Sequence, residues 1–136
     1  MIRHMLVGLV ALAISAGAAN AQTTIKKAPI KPTPATDAKK MFDSYCAVCH
    51  GNDGTGNGPA AKALTKAPAD LTKISARNGG TCPDVRVRRY IEGVDEVAAH
   101  GTRDMPMWGT LFRSLNSDTD QLRIAALTEY LKSMQK

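Results

Sequence analysis

Cys46-Ala47-Val48-Cys49-His50 is the stretch on which the reading of this chain turns. Two thiols three positions apart near the end of a helix can reach one edge of a flat macrocycle, and the adjacent histidine then lies under its centre. Together the five residues read as a c-type haem attachment site, with Cys46 and Cys49 as covalent links and His50 as an iron ligand. A CxxC pair also suits thiol redox chemistry, but that use goes with a βαβ pattern, which this sequence lacks. Half of a zinc site is a third reading, with Cys82 and His50 or His100 completing four donors. Cys82 stands alone, however, and zinc leaves a later methionine-proline stretch without a role.

Upstream of the motif, one helix is predicted from about Asp37 to Cys49, capped by Thr36 or Asp37. Met41, Tyr45 and Val48 share its inward face, with Phe42 and Cys49 alongside. Downstream, Gly51-Asn52-Asp53-Gly54-Thr55-Gly56-Asn57-Gly58-Pro59 has the composition of a loop. A short helix is expected from Pro59 to Leu64. Pro83 and Asp84 start another, with Val87, Tyr90, Ile91 and Val94 inward and Gly93 near its end. Ser117 and Asp120 have capping-box spacing, and Ile124, Leu127, Tyr130, Leu131 and Met134 then follow the helical period. No run alternates as a strand would. The expected fold class is all-α.

The ends of the chain read differently. Arg3 and His4 precede an apolar stretch, Met5 to Ala19, and Ala19-Asn20-Ala21 has the small-x-small form of an export cleavage site. Residues 1–21 are therefore expected to be a signal peptide, with an uncleaved anchor as the alternative. The stretch is short for a membrane span, which needs roughly 20 residues. Residues 22–36, rich in lysine and proline, are expected to be a flexible leader, and residues 37–136 the domain. The full chain carries a formal charge of +6. Removing Arg3 with the signal leaves +5, which favours acidic partners. Arg86, Arg88 and Arg89 cluster on one predicted helix, where a solvated face is the simpler account. No aromatic platform or nucleic-acid motif accompanies them.

From about Asp37 to Met134 the chain resembles a class I cytochrome c of the small bacterial type. Phe42, four residues before the first cysteine, and Leu127 with Tyr130-Leu131 match that family's contact between first and last helices. Ala38 stands where the family often has glycine. The resemblance implies several short helices around one covalent haem c. Gly58-Pro59-Ala60 resembles the segment whose proline carbonyl accepts a hydrogen bond from the iron-bound histidine, pairing Pro59 with His50. Met105-Pro106-Met107-Trp108-Gly109 resembles the loop that supplies the second iron ligand, and its methionine-proline order selects Met105. Met107 and His100 are the rivals. Trp108 is expected near the haem or a propionate, and Arg103 either at a propionate or exposed.

The implied function is one-electron transfer in the periplasm between a redox protein donor and acceptor. The chain is expected to be a monomer, no enzyme, and without stable membrane insertion once the signal is removed. A dedicated electron-transfer subunit of a periplasmic oxidoreductase shares every haem residue. A haem enzyme or gas sensor would need an open iron. Cys82 is expected to be buried as a small apolar residue.

Overall fold

The helix predicted around the cysteines forms, but in three pieces. In the computed structural model, which describes residues 30–94 and 105–136, α1 (Ala38–Met41) passes into a π-helical turn (Phe42–Cys46) and then α2 (Ala47–His50). Asp37 is the cap, its carboxylate accepting from the Lys40 amide at 2.9 Å. The Ala47 amide reaches back to the Phe42 carbonyl, five residues away, which is the π register. That extra residue rotates the last turn relative to the first. Met41, Phe42 and Tyr45 are buried as expected, but Ala47 takes the inward place expected of Val48, which is 49% exposed.

Short 3-10 turns follow at Ala61–Ala63, Leu71–Lys73 and Ala76–Asn78. The first lies inside the expected Pro59–Leu64 helix. Next comes α3 (Asp84–Glu92), which Gly93 ends in the left-handed conformation at φ +82°. Val87 and Ile91 are buried, Tyr90 half-buried and Val94 exposed. A helix not anticipated from sequence, α4 (Trp108–Leu115), then precedes α5 (Asp120–Ser133). There are no strands among the described residues, and the fold is all-α.

α5 is the hub, packing on α1, α3 and α4, while α3 also meets α4. Ile124, Leu127 and Leu131 are buried along it, with Tyr130 and Met134 packed at the margin. Phe42 meets Tyr130 at 5.4 Å between ring centroids, the helix crossing anticipated from sequence. Gly109 lets α4 approach α3 closely, since a Cβ there would stand 2.8 Å from the Glu92 carbonyl oxygen. The expected capping box does not form. Asn116 accepts from the Asp118 amide instead, and Asp120 turns to the Gln121 amide and to Arg113.

The compact unit begins at Lys31, ahead of the expected start at Asp37. Thr33 is only 6% exposed. Its amide and hydroxyl both donate to Tyr45 Oη, at 3.2 and 3.1 Å, and Tyr45 Oη donates to the Lys31 carbonyl. Part of the expected leader is thus built into the domain. At the other end, the Lys136 amide donates to the Thr72 carbonyl, and Gln135 bonds the Leu71 carbonyl and the Ser75 amide. No helix among the described residues is long and apolar enough to cross a membrane.

Candidate functional site

The last carbonyls of a helix lack partners within it. At the end of α2 each finds an amide from the glycine-rich loop. Gly51 donates to Ala47, Ala60 to Val48, Gly58 to Cys49 and Gly56 to His50, at 2.8–3.0 Å. This explains the loop's composition at Gly58, where a Cβ would fall 2.5 Å from the Val48 oxygen and 2.6 Å from that of Ala47. The loop backbone lies directly on the segment that carries the two cysteines.

The same loop presents His50. Gly56 rests so close to Pro68 that a Cβ would run onto its carbonyl oxygen, and the Leu71 amide donates to the Gly54 carbonyl at 2.7 Å. These contacts bring the Ala69 carbonyl to 3.0 Å from His50 Nδ1. A carbonyl oxygen only accepts, so Nδ1 carries the hydrogen and Nε2 keeps its lone pair. Burial lowers the His50 pKa, with the Ala69 bond opposing it. The ring is therefore neutral at pH 7, with Nε2 in the form that donates to a metal.

Cys46 and Cys49 are both partly buried and unbridged. Burial, with a smaller push from Cys49, raises the Cys46 thiol to about 12. Reactive CxxC thiols are shifted the other way, toward the thiolate. Among the described residues, no three His, Cys, Asp or Glu side chains gather as a metal cluster.

The cytochrome c family model matches residues 35–135. The chain belongs to the cytochrome c family. Its single Cys-x-x-Cys-His motif places it with the class I, mono-haem members, and electron carriage is its general role. No curated protein and no solved structure matches the chain.

The carbonyl that meets His50 is that of Ala69, where Pro59 was expected. Gly58 and Ala60, on either side of Pro59, are both bonded to the α2 backbone, which commits this stretch to the helix end. The segment that does reach the imidazole, Pro68-Ala69-Asp70-Leu71, carried a readable signal. Asp70 caps the following turn, accepting from the amide and hydroxyl of Thr72 at 2.9 and 2.6 Å.

Met105 and Met107 are 37% and 45% exposed. Met107 lies against Gly93, where a Cβ would stand 2.6 Å from its Cγ. Trp108 opens α4, half-buried, stacked on Phe112 at 6.1 Å and 5.7 Å from Tyr45. His100 and Arg103 lie outside the described residues. Arg86, Arg88 and Arg89 are exposed, with Arg86 over the Tyr90 ring at 5.7 Å. Cys82 is half-buried, not fully enclosed as expected, and burial raises its thiol pKa, with Asp84 adding to the effect.

Proposed function

We propose that this cytochrome is an exported, periplasmic one-electron carrier whose haem c would be held through Cys46 and Cys49, with His50 and Met105 as its iron ligands. The observation that carries the reading is the His50 imidazole, oriented by the Ala69 carbonyl beside two thiols at attachment spacing. The donor set fits the group. Nε2 of His50 would supply a nitrogen, Met105 a thioether, and Cys46 and Cys49 would each hold the group through a thioether made by addition of the thiol across a vinyl group. Bound haem supplies an iron that gains and loses one electron. Val48, which lies between the two cysteines in sequence, is an exposed apolar side chain, as are Met105 and Met107.

The chain's own residues do the rest. The loop amides hold α2 still, so His50 and the cysteines keep their places through each transfer. A thioether from Met105 together with the His50 nitrogen would favour reduced iron and occupy the places the protein offers it, which argues for a carrier over an enzyme or sensor. Met105 is preferred to Met107 because Pro106 holds it in an extended backbone while Met107 packs on Gly93. Trp108 and Pro59 would line the haem's surroundings. Donor and acceptor are redox proteins, the carrier itself a monomer, and residues 1–21 a cleaved signal.

Acidified organic solvent should leave the pigment on the polypeptide of protein matured with haem-attachment machinery. Extraction of the colour, or zinc in place of haem, would sink the proposal. In the oxidised protein, Met105→Ala should abolish the weak near-infrared methionine-to-iron band while Met107→Ala keeps it. The reverse pattern would assign the ligand to Met107, and absence of the band from the unmodified protein would remove methionine ligation altogether.

A further inference from the structure

Arg123 lies inside the domain, 6% exposed, on the buried face of α5. Its Nη1 donates to Thr33 Oγ1 at 3.4 Å and faces Met41 Sδ at 3.7 Å. Its Nε is buried without a hydrogen-bond partner. Among the described residues no carboxylate pairs with it. Asp43, Asp120 and Asp84 serve Lys39, Arg113 and Lys132 instead. A long hydroxyl contact and a thioether leave the guanidinium's charge uncompensated.

Such a charge is hard to explain by stability. Guanidinium groups keep their charge throughout the physiological range. Interior charge is costly to desolvate, and well-packed apolar residues often replace buried ionic groups without loss. The neighbours of Arg123 suggest another role. Met41 ends α1, from which the helix runs on to the cysteines. Thr33 Oγ1, which accepts from Arg123, itself donates to Tyr45 Oη, and Tyr45 immediately precedes Cys46.

We infer that Arg123 is a fixed interior charge that raises the reduction potential of the haem, an inference that rests on the proposed haem attachment. Reduction lowers the charge at iron by one, so a nearby buried cation favours the reduced state. At 6% exposure, with Thr33 Oγ1 against its Nη1, the cation is largely withdrawn from water, where salt would screen it.

The test compares midpoint potentials of covalently loaded Arg123→Met, Arg123→Lys and Thr33→Asp proteins at fixed pH and ionic strength. Arg123→Met removes the charge and can pack against Met41. At a poise equal to the unmodified midpoint, its ratio of reduced to oxidised protein should fall about two- to tenfold. Arg123→Lys should retain the original potential. Thr33→Asp keeps the guanidinium but sets a carboxylate beside it, and should also lower the potential. An unchanged potential in folded, pigmented Arg123→Met, or a Lys variant that falls as far as Met, overturns the inference. Should Arg123→Met fail to fold, an unchanged potential in Thr33→Asp overturns it alone. Loss of pigment from the unmodified protein in acidified solvent would instead be a failure of the haem attachment itself.

Discussion

Gly58→Ala should cost this protein about 3 kcal/mol or more, a large share of a typical total of about 5–15 kcal/mol. The new methyl carbon would stand 2.5 Å from the Val48 oxygen and 2.6 Å from Ala47 O and the Cys49 carbonyl carbon. All are backbone atoms, so no side chain can swing aside. Relief requires the loop to lift from α2, which breaks the Gly58–Cys49 and Ala60–Val48 bonds. Gly79→Ala is the control. Its φ is +67°, but nothing lies within 4 Å of the added carbon, so only backbone strain of about 1–2 kcal/mol is expected. Denaturant unfolding of the two loaded variants should rank them in that order. Equal losses would mean that the loop does not clamp α2. A lower yield of pigmented protein should accompany Gly58→Ala, because the clamp positions both cysteines.

Phe112→Ala is expected to cost about 3–5 kcal/mol. The ring is fully buried, 5.6 Å from Tyr45 and 6.1 Å from Trp108, so its removal opens a cavity where α4 meets the helix carrying the cysteines. Aromatic pairs contribute about 0.5–1.5 kcal/mol beyond buried area, and two are lost here. Exposed Thr110, on the same helix, gives the comparison. Thr110→Ala should change stability by less than about 0.5 kcal/mol. Thermal and denaturant unfolding measure both, and the near-ultraviolet dichroism of Trp108 should weaken only in Phe112→Ala. A loss below about 1 kcal/mol would show that this aromatic cluster is not part of the core.

The sequence alone determined the elements whose signals lie within a turn or two of chain. Asp37 caps α1 because its carboxylate needs to reach only Lys40. Gly93 ends α3 because a left-handed residue is needed there, and Ile124, Leu127 and Leu131 fall on one face of α5 at helical spacing. The Cys46–His50 motif is equally local, which is why five consecutive residues suffice to point to the family. Tertiary structure decided what distant segments supply. The carbonyl that orients His50 comes from Ala69, 19 residues on, because Gly54 and Gly56 hold that segment against the loop. Arg123 meets Thr33 across 90 residues, and α4 is secured by packing on α3, α5 and Tyr45 with no side-chain cap at its start. Periodicity and caps report only what a residue meets on its own helix. The partner of a buried polar group is chosen when the chain closes on itself, and no spacing rule encodes that choice.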